Sequence, residues 1–237
     1  MGYGINETAD VMGRMVRKLD HVSANLSNAS TTGYKTEHLY ATAAANRPQA
    51  VDNEVPLPPT TVAVDFSKGI KQQTGNTLDL MIESEGFFAV KTKNGTAYTR
   101  RGDFTISGDS KLVTQLGEEV LGNNGNAITI NGQSISVGRD GTIKVDDGEV
   151  GKLKIVSFAD TATLTRGENG YFTSTAEPTT IDRPGVVQGA IEMSNVNVIK
   201  EMVDMIDIQR SFEVYQKVIQ TITDQDKIST ARIGRLV

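Results

Sequence analysis

The chain has 237 residues, of which 38% are hydrophobic and 22% are charged, a globular composition with room for one large domain or two smaller ones. Its net charge of -5 gives no electrostatic footprint for nucleic acid or for an anionic membrane. The absence of cysteine excludes disulfides, thiolate nucleophiles and cysteine-based metal sites.

The first predicted element is a helix over residues 5–28. Its apolar residues recur at intervals of three and four, which places them on one face of a helix: Met12, Met15, Leu19, Val22 and Leu26. Turn-forming residues follow at 28–33. Residues 36–60 are predicted to be an extended linker, because four of the six prolines lie there and proline removes backbone hydrogen-bond donors.

Residues 61–190 are predicted to form a β-rich domain. Short apolar segments alternate there with turn pairs such as Asn131-Gly132 and Asp140-Gly141, the pattern of an all-β domain. Asn94-Gly95 lies between strand candidates at 87–90 and 97–100, and Asn-Gly favours the turn of a β-hairpin.

The last predicted element is a helix over residues 195–233, which contain neither proline nor glycine. At 1.5 Å per residue it would be about 58 Å long, and its apolar stripe consists of Met205, Ile208, Phe212, Tyr215, Ile219 and Ile222.

Neither terminal helix buries its stripe alone, so the predicted fold class is α+β with the long N- and C-terminal helices paired as a coiled coil and an all-β domain inserted between them. The predicted boundaries are 1–35 for the first helix and its loop, 36–60 for the linker, 61–190 for the β domain and 191–237 for the last helix. The alternative is that both helices fold back onto the β domain.

No catalytic, cofactor-binding or metal-binding residue is predicted, and no cofactor is indicated. The two histidines, His21 and His38, do not supply the converging ligands of a zinc site. Asp79 and Glu83 are the first carboxylates to examine for the alternative of a polysaccharide-active enzyme. No segment approaches the roughly 18 apolar residues of a membrane span, and residues 1–10 lack the basic flank and apolar run of a Sec signal peptide.

Three short motifs resemble the flagellar rod and hook family of axial proteins. Residues 25–35, Asn-Leu-Ser-Asn-Ala-Ser-Thr-Thr-Gly-Tyr-Lys, look like the family's rod signature, and residues 192–198, Glu-Met-Ser-Asn-Val-Asn-Val, look like its second signature. Residues 86–90, Gly-Phe-Phe-Ala-Val, are also similar. The short segment between Tyr34 and Leu78 favours the proximal-rod type over a distal-rod or hook-type paralogue.

The resemblance implies a structural subunit, not an enzyme, that assembles helically into the axial drive-shaft linking the flagellar motor to the hook. Its implied partners are copies of itself, other rod proteins, neighbouring hook-basal-body components and the flagellar type III export apparatus, with no nucleic acid and no direct membrane insertion. The implied location is the periplasm-spanning rod of the basal body, reached without a cleavable signal peptide. An extracellular adhesin whose helices trimerise is a further alternative.

The predicted assembly interface combines the two apolar stripes with the two signatures. Near the helix ends, amide side chains are expected to satisfy backbone groups and to fix the register between helices. The predicted interface residues are Met12, Met15, Leu19, Val22, Asn25, Leu26, Asn28, Thr32, Gly33, Tyr34, Ser194, Asn195, Val196, Asn197, Val198, Met205, Ile208, Phe212, Tyr215, Ile219 and Ile222.

Overall fold

The computed structural model describes residues 3–41 and 60–233 of the chain. Their backbone contacts divide them into two compact units. The helical unit contains the described residues of 1–27, 37–63 and 197–237, and the β unit contains residues 28–36 and 64–196. Most of the predicted linker, from residue 42 to residue 59, lies outside the described residues.

The helical unit is built on two helices, α1 (Tyr3–Ser27) and α2 (Val198–Ile233), which contact each other. Both were predicted to within a few residues. Helix α2 begins after Asn197, whose Oδ1 accepts a hydrogen bond from the Lys200 backbone N at 3.1 Å, the bond of a helix N-cap. Strand β1 (Glu37–Ala41) pairs with strand β2 (Thr60–Val64) beside the helices.

The predicted coiled-coil pairing of the terminal helices is wrong, and only the mixed α+β character of the predicted fold class is found. The helices have 25 and 36 residues, and the part of the chain that the structure describes contains no long coiled-coil pair. A coiled coil buries its apolar residues continuously along both helices. Here Val22 and Ile208 are buried, whereas the other predicted stripe residues with a described side chain are only partly buried. Spacing identifies the apolar side of a helix but not the length of its contact with a partner.

The β unit consists of short strands joined by turns, with 3-10 turns at Thr161–Thr163 and Glu168–Gly170. In chain order its strands are β3 (Lys71–Gln73), β4 (Leu80–Ile82), β5 (Phe87–Thr92), β6 (Gly95–Thr99), β7 (Phe104–Ile106), β8 (Leu112–Thr114), β9 (Glu119–Val120), β10 (Ile135–Val137), β11 (Thr142–Val145), β12 (Gly148–Lys152), β13 (Ile155–Ser157), β14 (Leu164–Arg166), β15 (Phe172–Ser174), β16 (Thr179–Thr180), β17 (Val186–Gln188) and β18 (Ala190–Glu192).

The strands form one large antiparallel sheet and three small ones. The large sheet has the order β14-β15-β6-β5-β9-β8-β7, and β13 joins it by pairing with β5 and β16. The order β10-β11-β12 forms a second sheet, while β17 pairs with β4 and β18 pairs with β3. The last two pairs bring residues 186–192 beside residues 71–82, so the end of the β unit returns to its beginning.

Strand β5 is central because both of its faces are buried. Phe88 and Val90 lie in one hydrophobic cluster and Phe87 and Ala89 lie in the other, as the alternation of side chains along a strand requires. The Phe88 ring packs edge-on against Phe104, with ring centroids 5.0 Å apart. A segment buried on both sides loses the alternation of apolar and polar residues, so residues 87–90 are continuously apolar, whereas Lys91 and Thr92 at the end of the strand are not fully buried.

The hairpin predicted around Asn94-Gly95 is confirmed, but its turn begins one residue earlier. Strands β5 and β6 pair in a register that sets Thr92 opposite Gly95, which leaves Lys93 and Asn94 as the two turn residues. The predicted turn pair therefore straddles the end of the turn and the first residue of β6.

Tyr171 is a buried tyrosine whose ionisation opposes folding. Its hydroxyl donates to Glu118 Oε2 at 3.0 Å and lies 2.9 Å from Thr114 Oγ1, and burial raises the pKa of Tyr171 to about 12. The pKa of a tyrosine in the unfolded chain is about 10. The folded state therefore keeps its proton where the unfolded state has lost it, and stability falls as pH rises between these values.

We expect the free energy of unfolding to decrease by up to about 1.4 kcal/mol per pH unit above pH ~10 through Tyr171 alone. Tyr171→Phe should lose this part of the pH dependence, which urea unfolding at several alkaline pH values would measure. Tyr40→Phe, at an exposed tyrosine, should retain the wild-type slope. The same slope in Tyr171→Phe and the wild type would contradict the prediction.

Candidate functional sites: a buried clasp and an exposed helix face

A buried ion cluster joins two distant segments within the β unit. Lys35 and Glu192 lie 157 residues apart in sequence, and Lys35 Nζ donates to Glu192 Oε1 at 2.6 Å. The side chains are 0% and 1% exposed. Arg100 Nη1 lies 3.5 Å from Glu192 Oε2, so one carboxylate contacts two cations. With Thr36 and Asn195, described next, these residues form what we call the clasp.

The Asn195 amide forms the second half of the clasp. Its Oδ1 accepts hydrogen bonds from both the backbone N and the Oγ1 of Thr36, each at 2.8 Å. Its Nδ2 donates to Asp65 O at 2.8 Å and lies 3.0 Å from Ser67 Oγ. One amide therefore holds three segments, at residues 36, 65–67 and 195, in a fixed arrangement.

Burial makes the clasp depend on its single carboxylate. Burial lowers the pKa of Lys35 below the ordinary lysine value, and the Glu192 carboxylate opposes that shift. Burial likewise lowers the pKa of Arg100, against the attraction of Glu192 and Glu85. Because a buried cation without a counter-ion is strongly destabilising, Glu192 is what allows both cations to be buried.

Glycine lets the backbones approach at the clasp. Gly33 has a φ of +66°, and a Cβ on it would lie 2.5 Å from the carbonyl carbon of Arg100. Its backbone N donates to Glu192 O at 2.7 Å. Beside it, the Arg166 guanidinium lies 4.3 Å from the centre of the Tyr34 ring and donates to Lys35 O. The Gly-Tyr-Lys part of the first signature is therefore engaged inside its own chain.

The predicted interface residues fall into three groups by exposure. Those buried in their own unit are Val22, Asn25, Gly33, Tyr34, Ser194 and Ile208. Those partly buried are Met12, Met15, Leu19, Leu26, Asn28, Thr32, Asn195, Val196, Met205, Phe212, Tyr215, Ile219 and Ile222. Those exposed are Asn197 and Val198. The structure brings Gly33, Tyr34 and Asn195 together around the clasp, and whether any of these residues contacts another subunit stays a prediction.

Asn25 forms hydrogen bonds with strand β1, and whether the amides also fix the register between helices stays a prediction. Asn25 is buried at the end of α1, where its Nδ2 donates to Glu37 O at 2.9 Å and its Oδ1 accepts from Glu37 N at 3.1 Å. Asn25 thus holds strand β1 against α1 by bonding both backbone groups of Glu37, as the backbone of a neighbouring strand would.

Sequence reasoning missed a second apolar side of α2, which we call the free face. It consists of these exposed apolar residues: Ile199, Met202, Val203, Ile206, Val214 and Val218. Ile199 is 77% exposed. Ile199 lies nine residues from Ile208, about 2.5 turns along the helix, and so points to the opposite side. Apolar residues outside the first stripe, between 199 and 206 and again at 214 and 218, were the available signal.

The carboxylates and histidines considered for chemistry have structural partners. Asp79 Oδ1 accepts a hydrogen bond from Asn76 Nδ2 at 3.1 Å, and Glu83 Oε2 accepts one from Arg139 Nη2 at 2.5 Å. His21 Nδ1 lies 3.2 Å from Glu37 Oε2. Within residues 3–41 and 60–233, no group of acidic and histidine side chains is arranged to hold a metal ion. Neither of the described helices has an apolar stretch long enough to span a membrane.

Comparison with known proteins gives the family. Residues 81–145 match the model described as the flagellar hook protein FlgE/F/G D1 domain, and residues 187–231 match the flagellar basal body rod FlgEFG protein C-terminal model. The flagellar basal-body rod protein FlgF of Caulobacter vibrioides is 34% identical over 228 residues, which cover 93% of both chains. The chain belongs to the flagellar basal-body rod protein family.

Other relatives agree with this family. FlgG of Bacillus subtilis is 33% identical over 234 residues, covering 86% of this chain and 89% of the relative. FlgF of Escherichia coli is 31% identical over 219 residues, covering 85% of this chain and 86% of the relative. The predictions of a rod-family protein and of a structural, non-enzymatic basal-body subunit are confirmed. FlgF and FlgG match at nearly equal identity, so the proximal-rod assignment stays a prediction.

Removing the clasp carboxylate should destabilise this rod subunit. Glu192→Gln keeps the shape of the side chain but leaves Lys35 and Arg100 buried without their counter-ion, so we expect a loss of about 3–5 kcal/mol in urea unfolding. Glu83→Gln removes the exposed pair with Arg139 and should cost less than about 1 kcal/mol. Equal losses in the two variants would show that the clasp does not stabilise the fold.

The clasp also predicts which fragment keeps the stability of the β unit. A fragment of residues 28–196 contains Lys35, Glu192 and Asn195, whereas a fragment of residues 61–190 contains none of them. The shorter fragment keeps Arg100 and Arg166 but loses their partners in the signatures. We expect it to unfold at lower urea than the longer fragment. Coincident unfolding curves would indicate that the predicted boundaries at 61 and 190 are sufficient.

Proposed function

We propose that this structural rod subunit assembles with copies of itself into a helical polymer through the free face of α2. The observation that carries the proposal is the exposure of that face. Four of its members, Ile199, Met202, Val203 and Ile206, crowd the first two to three turns of the helix. Contiguous apolar residues on a soluble surface indicate an interaction site, since each costs free energy while it faces water.

The two sides of α2 have different tasks in this proposal. The side of Ile208 packs inside the subunit, and the side of Ile199 is covered by a neighbouring copy. A helix that is apolar on both sides is stable only when both sides are buried. An isolated subunit buries one side, so the second side supplies the drive for assembly.

The predicted interface is retained in modified form. The partly buried stripe residues and the exposed Asn197 and Val198 belong to the helical unit and remain available for contact with a neighbour. The clasp and its neighbours Gly33 and Tyr34 are engaged within the β unit, and we assign them to holding the subunit together.

Family membership supports the remaining assignments. We propose that the partners also include other rod proteins, neighbouring hook-basal-body components and the flagellar type III export apparatus. We further propose a place in the periplasm-spanning rod, of the proximal type, as part of the drive-shaft between motor and hook. We also propose that the β domain of residues 61–190 folds by itself, with the clasp segments on either side of it adding stability. The two fragments described above test both points.

Charging the free face should prevent assembly without unfolding the subunit. Ile206→Asp places a carboxylate in the proposed contact, and because Ile206 is exposed we expect helicity and melting temperature to stay near the wild-type values. Concentrated variant protein should not sediment as polymer, and cells that carry the variant should not swim.

The matched control is Ile70→Asp, the same change at an exposed isoleucine of the β unit. We expect this variant to sediment and to support swimming as the wild type does. Normal polymer formation by Ile206→Asp would exclude the free face as the assembly surface.

A further inference from the structure

The helical unit contains a pocket with a buried acid on its wall. The pocket has a volume of about 220 Å³ and lies between α1, strand β1 and the first turns of α2. Glu201, on this wall, is only 3% exposed. Within the described residues, its carboxylate has neither a hydrogen bond nor an ion pair.

The Glu201 carboxylate has no cation partner among the described residues. It lies in the first turn of α2, where the helix N-terminus favours a negative charge but supplies no cation. Asp204, one turn further along α2, adds a second negative charge to the pocket wall. Lys18 and Lys200 also line the pocket, but both are exposed and neither forms an ion pair with Glu201. The pocket therefore has the charge and the size to receive a cationic side chain from outside.

A matching cation lies on the free face of the same helix. Arg210 is exposed between Ile206 and Val214, and no acidic side chain of the described residues pairs with it. On the surface that the proposed function assigns to assembly, Ile206 and Val214 flank it one turn away on either side. The exposed Asp207, Glu213 and Lys217 lie on the same side of α2. Arginine suits this role because its planar guanidinium is weakly hydrated and binds a carboxylate through two parallel hydrogen bonds.

We infer that Arg210 of one copy enters the pocket of the next copy and pairs with Glu201, which sets the register of the free face on its neighbour. Glu201 and Arg210 are nine residues apart, about 2.5 turns, and so lie on opposite sides of α2. One copy therefore cannot pair them with each other. Each copy presents a donor on one side and an acceptor on the other, and such a contact repeats without closing, as a filament requires. This inference rests on the proposed function.

The test uses charge reversal in the full chain. In Arg210→Glu two acids face each other across the contact, and in Glu201→Arg two cations do. We expect each variant alone to need at least about a tenfold higher protein concentration before polymer sediments. In an equimolar mixture every contact between unlike copies has opposite charges, so the mixture should sediment near the wild-type concentration. A mixture that stays soluble while both variants are folded overturns the pairing.

Two controls separate register from general charge effects. Lys217→Glu makes the same charge change on the same side of α2, about two turns further along, and should raise the required concentration far less than Arg210→Glu. Equal effects of the two changes overturn the pairing. If Glu201→Arg does not fold, Glu201→Gln and Arg210→Gln replace the reversal: the double variant should be no worse than either single one, and additive losses overturn the pairing.

The outcomes distinguish this inference from the proposed function. If Ile206→Asp abolishes sedimentation while Arg210→Glu and Glu201→Gln sediment normally, the free face is the assembly surface and the pairing is wrong. If the wild-type protein does not form polymer at any concentration, the proposed self-assembly is wrong and the pairing falls with it.

Discussion

The β unit depends on one carboxylate held out of water between two cations. Glu192 contacts Lys35 and Arg100, and Arg100 also donates to Ile82 O at 3.3 Å, at the end of strand β4. The ion cluster thus connects both signature segments to the strands that surround the main hydrophobic cluster. Hydrophobic burial supplies most of the stability of such a unit. The clasp places these segments beside one another, because its one carboxylate lies between two buried cations that need a counter-ion.

The two units treat polar and apolar groups in opposite ways. In the β unit the charged signature residues Lys35 and Glu192 are buried and form an ion pair with each other, so they need no partner from another molecule. In the helical unit an apolar side of α2 faces water, and among the described residues no cation pairs with the Glu201 carboxylate in the pocket. The β unit pairs its own buried charges. The helical unit instead leaves an apolar face and a carboxylate on separate surfaces of one helix. That division fits the proposed assembly of the subunit with copies of itself.

Local patterns revealed the helices and the hairpin, whereas contacts between distant residues stayed hidden. The helices were found because apolar spacing and the absence of proline and glycine are local signals, and Asn94-Gly95 marked a hairpin whose register it missed by one residue. The coiled coil was wrong because the stripe of Met205 and Phe212 does not specify the extent of its partner. The clasp was missed because nothing near Lys35 in sequence indicates Glu192. The free face was missed because spacing alone does not show which of two apolar sides of a helix is buried in its own unit.

The distance between Lys35 and Glu192 along the chain has a consequence for the order of folding. Closing a loop of 157 residues costs more chain entropy than any hairpin in the unit, and contacts of such long range form slowly. While the chain is still incomplete at its C-terminal side, the Lys35 ammonium remains hydrated because its counter-ion has not arrived. A chain that stops short of residue 192 therefore cannot close the clasp, and its Lys35 ammonium stays in water.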